Sequence, residues 1–373
     1  MRRFVALAVI PVIAALIGLA GCAADKPKPT PLVAFKPQIA GREVWRERVD
    51  SVRFPLVVTA KDGVFFVAGT DGTVLALRAE TGATVWRANA GARLSAGVGS
   101  DGRWASVVTE SNQLVTFDQG REIWRVQLPS RVVTAPLVAG ARVFVLSVDR
   151  TVRAFDAQDG HPLWTLQRPG DALTLAEAGV IMPYKNTLVV GQGPRLAGIE
   201  PLKGLLEWEL PMASPRGTNE VERLADLLGP ALRLGDRICA RAFQSAVACA
   251  DVARDTVLWS RNVGGIRAIG GNDDFIFGAD ASDRISAWHT ATGEVAWTNE
   301  KLLYRGLSGA LAVGKTVVFG DAEGYVHFLA AADGAMQLRF STDGSAVVGT
   351  PALSGTTILV VTRAGGLYAF RPN

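Results

Sequence analysis

The chain has 373 residues, close to half of them hydrophobic, with 40 glycines and a net charge of only +4. A charge this small, with no stripe of lysine and arginine interleaved with aromatics, excludes the electrostatic footprint of a nucleic-acid binder. The hydrophobic content is enough for a packed core, and abundant glycine with few helix-periodic stretches points to an all-β chain rich in turns.

Met1-Arg2-Arg3 is a charged start, Phe4 to Leu19 is apolar with Pro11 inside it, and Leu19-Ala20-Gly21-Cys22 closes the segment with small residues. The apolar run is too short to span a bilayer, and its plan is that of a secretory signal over residues 1–21. Its end resembles the lipobox of bacterial lipoproteins. That resemblance implies cleavage before Cys22, lipid on the Cys22 thiol and new amino group, and, with Ala23 rather than Asp next, sorting to the outer membrane. Several acyl chains on one residue exceed the single-chain threshold for stable anchoring. An ordinary secretion signal with an incidental cysteine is the alternative. Residues 22–40 then carry Lys26-Pro27, Lys28-Pro29 and Thr30-Pro31, too proline-rich to fold and suited to an extended tether.

From residue 41 one unit repeats. In Asp71 to Trp86 (DGTVLALRAETGATVW) a turn dipeptide leads into a β-branched, apolar run, Thr81-Gly82 turns the chain again, and the next strand carries Trp86 as its anchor. Altered copies follow to the C-terminus. Their anchors stand at Trp45, Trp86, Trp124, Trp164, Trp208, Trp259, Trp297 and Phe340, a period of roughly 40 residues that suits a four-stranded propeller blade. Eight anchors predict an eight-bladed β-propeller over residues 41–373. Trp45 has no motif before it, and the last motif, Gly365 to Phe370, has no anchor after it. The N-terminal strand is therefore expected to complete the last blade and close the ring, removing open edges. First strands are expected at Phe54–Val58, Ala135–Val138, Gly229–Leu232, Gly309–Val313 and Thr350–Leu353. The apolar strands that follow them do not alternate cleanly, as in sheets covered on both faces.

Two connections are long: Gln167 to Gly179 and Pro211 to Gly229. Each follows an anchor and precedes a first strand, so both should emerge side by side on one face of the ring, where insertions of repeat proteins usually bind. Glu220 to Leu228 has helical spacing, with Val221, Leu224, Leu227 and Leu228 on one side. Cys239 and Cys249 lie on successive strands at nearly equal distance from the turn and would face each other; a disulfide and a pair of buried small hydrophobes are both open readings. The three histidines, His161, His289 and His327, show no metal-ligand spacing, no phosphate loop or nucleophile elbow is present, and the turn aspartates are explained by turn bonding. No catalytic residue, metal or cofactor is assigned.

The repeat VxALxxxTGxxxW resembles that of quinoprotein alcohol dehydrogenases, whose eight-bladed propeller binds pyrroloquinoline quinone and calcium. Those enzymes are longer and carry an adjacent Cys-Cys pair that is missing here, so the motif reads as blade architecture. Signal, lipobox, tether and repeat together resemble the β-propeller lipoproteins of the outer-membrane β-barrel assembly (BAM) machinery, over essentially the whole chain. Leu173-Thr174-Leu175 matches that family's L-x-L loop, and Glu220 to Asp226 resembles its E-x-D-R-L-x-D loop. The resemblance implies a non-catalytic scaffold whose Leu173, Leu175, Glu222, Arg223 and Asp226 contact the POTRA domains of BamA, the barrel subunit, and whose sheet edges could guide unfolded outer-membrane strands. Ala176 stands where that family usually has Arg, and Leu228 where a second Asp is expected. A quinone-dependent dehydrogenase and a propeller serving another partner are the competing readings.

Overall fold

The structure, a computed structural model, describes residues 27–168, 173–215 and 217–372. Cys22 and the signal segment lie outside these residues. Thirty-two strands form eight four-stranded antiparallel sheets, seven of them from consecutive strands. The eighth takes three strands from the C-terminus, Ala352–Ser354, Thr357–Val361 and Gly366–Pro372, and its outer strand, Gly41–Arg48, from the N-terminus. That closing pair runs antiparallel from Gly41↔Pro372 to Arg48↔Gly366, with one irregularity between Glu43 and Trp45. Numbering the closed blade 8, blade 1 begins at Thr59 and blade 7 ends at Ser341.

Each blade is sandwiched between two neighbours, which is why its middle strands are apolar on both faces. In blade 1, Val64–Ala68 and Thr73–Arg78 are buried except at their ends, whereas the outer strand Thr84–Asn89 is mostly exposed. Several innermost strands are short, three residues at Thr59–Lys61, Leu137–Ala139, Leu311–Val313 and Ala352–Ser354. The strand expected over Phe54–Val58 in fact starts at Thr59, because Val52 and Phe54 are used as buried plugs in the connection leading to it.

The repeated Thr-Gly and Trp positions turn out to be one device. The anchor on an outer strand reaches the turn between the third and fourth strands of the next blade. There its indole N–H donates to a carbonyl, as in Trp45 to Ala79, Trp124 to Ala157, Trp164 to Pro201, Trp259 to Thr290 and Trp297 to Ala331, at 2.9–3.0 Å. Its ring lies on the turn glycine: a Cβ at Gly204 would stand 2.6 Å from the Trp164 ring, and one at Gly293 2.5 Å from Trp259. The glycine also has positive φ, +73° at Gly204, so both the turn and the seam require it. Two seams differ. Trp208 instead covers Gly198 of its own blade. Phe340 stacks on Phe370 at 4.7 Å, because blade 8 has chain ends where the receiving turn would be.

Cys239 and Cys249 are register partners in blade 5, their Cα atoms 4.0 Å apart and their sulfurs joined. The tether expectation is corrected for residues 27–40. They form no regular element, but they do not hang free: Leu32, Phe35 and Ile39 are half-buried, and Leu32 and Ile39 pack against the cores flanking blade 7.

Candidate partner-docking site

A four-stranded up-and-down blade sends the connection to the next blade, and the turn between its second and third strands, to the same rim. The two long connections span Gln167 to Val180, between blades 3 and 4, and Met212 to Asp226, between blades 4 and 5. They meet on that rim. Gly179 bridges Leu228, and the Gly229 N–H donates to the Ala178 carbonyl at 2.8 Å.

One carboxylate organises the meeting. Asp226 Oδ2 accepts the Leu175 N–H at 2.9 Å, and Oδ1 accepts from the Arg150 guanidinium at 3.3 Å, with both ionic side chains mostly buried. Arg150 sits at the turn of blade 3 with φ +61°, and Gln192 donates to its carbonyl. Three blades thus converge on Asp226, and the L-x-L segment is held by its own backbone. Below it, a groove lined by Val133, Leu146, Val148, Leu175 and Leu227 runs toward the seam. Arg168 and Arg195 share Glu209 on the outer flank, at 2.9 and 3.7 Å.

The polar residues of the second connection play a different part. Glu222 turns back on its own loop, accepting the Thr218 N–H at 2.7 Å and the Thr218 hydroxyl at 3.2 Å, while its N–H donates to Asn219 Oδ1. Those bonds, the Thr218 N–H foremost, hold its carboxyl below the ordinary range although it is exposed. Arg223 donates its N–H to the Asn219 carbonyl, and its guanidinium has no ion-pair partner among the described residues. No helix forms over Glu220 to Leu228. Residues 220–223 make a single turn, Leu227 opens the first strand of blade 5, and Val221 is 70% exposed rather than packed with Leu227 and Leu228. The apolar side of the expected helix splits because Leu227 and Leu228 belong to a sheet whose alternation overrides helical spacing.

The rim therefore presents uncovered apolar side chains, with the Arg150–Asp226 ion pair mostly buried behind them. Leu173 is 36% exposed and Val221 70%, and Leu175 is half-buried. The motif names Leu173, Leu175 and Asp226, which the structure places on this rim; it does not name Val221, which the helical spacing assigned to the wrong face, or Arg150, whose contact with Asp226 spans 76 residues. Among the described residues no group of three or more His, Cys, Asp or Glu could hold a metal ion. His161 and His289 stand apart; His327 is buried in blade 7.

The protein family described as "Outer membrane protein assembly factor BamB" matches residues 32–93 and 70–299. Relatives of that name include one from Burkholderia pseudomallei, 34% identical over 96% of each chain, and one from Bordetella pertussis, 33% identical over 97% of this chain and 96% of that one. Among solved structures, BamB from Moraxella catarrhalis superposes with a TM-score of 0.79 at 21% identity, covering 89% of this chain and 99% of that one. A quinohemoprotein alcohol dehydrogenase from Comamonas testosteroni reaches 0.66 at 16% identity, over 89% of this chain and 76% of that one, and shares the fold alone.

Proposed function

Because the chain belongs to the family of the outer membrane protein assembly factor BamB, we propose that it is a non-catalytic scaffold of the β-barrel assembly complex, docked on the POTRA domains of BamA through the rim described above. The observation that carries this reading is the convergence of three blades on Asp226, which fixes two neighbouring connections while leaving Leu173 and Val221 uncovered. Large exposed apolar side chains on a rigid frame are the usual anchors of an interface. Glu222 and Asp226 would act by shaping the rim, Leu173, Leu175 and Val221 by touching the partner, and Arg223 is a cation free to meet a carboxylate. Acylated Cys22 would hold the ring at the outer membrane. The exposed Val85, Leu163, Leu258 and Val295 on outer strands offer edges to extended chains by strand addition, a secondary role.

Leu173→Asp with Leu175→Asp tests the docking. The pair places two charges in the apolar contact without touching a blade strand, so co-purification with BamA from detergent-solubilised membranes should fall by at least about tenfold, with circular dichroism and melting unchanged. Undiminished co-purification would contradict the assignment. Full activity on alcohols after addition of pyrroloquinoline quinone and calcium would favour the dehydrogenase reading instead.

A further inference from the structure

Blade 7 carries a buried ionic network that the docking rim does not use. Arg305, 3% exposed, donates from Nε to Asp321 Oδ2 at 2.7 Å and from Nη2 to Glu323 at 2.5 Å. Asp321, fully buried, also meets His327 Nε2 at 2.9 Å through Oδ2, and Arg339 Nε donates to His327 Nδ1 at 3.2 Å. Each arginine keeps one amino group for the N-terminal segment: Arg305 Nη1 donates to the Thr30 carbonyl at 3.0 Å, and Arg339 Nη1 to the Val33 carbonyl at 3.3 Å. The Arg339 guanidinium also covers the Phe35 ring at 5.1 Å. Two backbone bonds complete the set, Thr30 N–H to Leu303 O at 2.9 Å and Gln38 N–H to Gln337 O at 2.8 Å.

These contacts have a direction. Leu303 and Arg305 belong to the connection from blade 6 to blade 7, and Asp321 and Glu323 to the turn between the second and third strands of blade 7, both on the docking rim. Gln337 is the second residue of the outer strand Met336–Ser341, which starts at the opposite rim. The segment therefore enters at the docking rim, runs down the outer edge of blade 7, and turns at Gly41 into the strand that closes the ring. Its half-buried apolar residues stand among exposed neighbours, Leu32 and Ile39 packed on the cores beside blade 7 and Phe35 under the Arg339 guanidinium.

We propose that residues 30–39 are a strap that delivers the lipidated N-terminus to the docking rim, on the arc two to three blades from the docking connections, so that this rim is the one turned toward the bilayer. Cys22 stands eight residues before Thr30, a reach of at most about 28 Å at full extension, against roughly 19 residues were the strap free. The inference rests on the reading of Cys22 as acylated.

The test places one maleimide dye on the acylated full-length chain, at Lys301→Cys on the docking rim or at Lys315→Cys on the opposite rim. Both positions are exposed, and neither side chain takes part in the network. In phosphatidylethanolamine and phosphatidylglycerol vesicles with a headgroup-linked acceptor, energy transfer from Lys301→Cys should exceed that from Lys315→Cys about two-fold or more, the rims being one strand length apart. Leu32→Ser, Phe35→Ser and Ile39→Ser together, which leave every blade strand intact, should abolish the difference. Equal or reversed transfer in the parent chain, or a difference that survives the triple substitution, would overturn the strap. Protein that never partitions onto vesicles would overturn the Cys22 reading, and the inference with it.

Discussion

The Asp226 carboxylate has one oxygen on a guanidinium and the other on the Leu175 N–H, both bonds charge-assisted and mostly shielded from water. Such bonds contribute about 1.5–3 kcal/mol each. Asp226→Ala is therefore expected to free the L-x-L segment, seen as lost hydrogen-exchange protection at the Leu175 amide, and to weaken BamA binding without unfolding the blades. His327 permits a second expectation. Burial holds its imidazole below the ordinary value of 6.5, and the hydrogen bond to Asp321 only partly offsets this. The unfolded chain takes up a proton at the ordinary value and the folded chain does not, so stability falls as pH drops below about 6.5. Asp321 follows at lower pH: burial pushes it up, but bonds from His327 and the Tyr325 N–H bring it below 3.8, and the stability it contributes is lost only beneath that value. Melting temperature against pH should show the upper drop in the parent chain and a flatter profile in His327→Gln. At this scale little was legible in the sequence. Asp226 could be named through a motif, but Arg150, Arg305 and Arg339 look like ordinary surface cations until the fold brings their partners from distant segments.

The element that repeats is the seam between blades, and its rule is more exact than a period of buried aromatics. A Cβ at Gly160 would lie 2.7 Å from the Trp124 ring and one at Gly204 2.6 Å from Trp164, whereas at Gly120 the nearest Trp86 atom is 3.2 Å away. Gly204→Ala and Gly160→Ala are expected to cost about 2–4 kcal/mol each, combining overpacking with a left-handed backbone. Gly120→Ala should cost less; urea titration of the three variants orders them. In blade 5, alkylation under denaturing conditions should modify Cys239 and Cys249 only after reduction, since their sulfurs are joined across a register pair. Turn dipeptides and anchors made the blades legible, and the Cys239–Cys249 facing followed from counting outward from the turn. Two elements were not. The short inner strand of blade 1 was set too early because Phe54 and Leu56, buried in the preceding connection, read like a strand, and the spacing of Glu220 to Leu228 read as a helix because Leu227 and Leu228 serve a sheet.

For the whole molecule, closure decides what can be a site. Strand Gly41–Arg48 makes seven paired positions with Gly366–Pro372, so the chain ends meet in one blade and leave no open end to the array. The connections between blades then share one rim, which puts the two long ones side by side; sequence could state this once the ring was counted. It could not show that residues 27–40 line blade 7, because isolated hydrophobes in a proline-rich stretch carry no periodic signal. The role proposed here depends on which rim meets the assembly machinery, and photo-crosslinking in intact cells reads that directly. A benzoylphenylalanine at Val221 should capture the POTRA region of BamA, while the same group at Asp62, on the opposite rim, should not. Capture of BamA from Asp62 and none from Val221 would contradict the account.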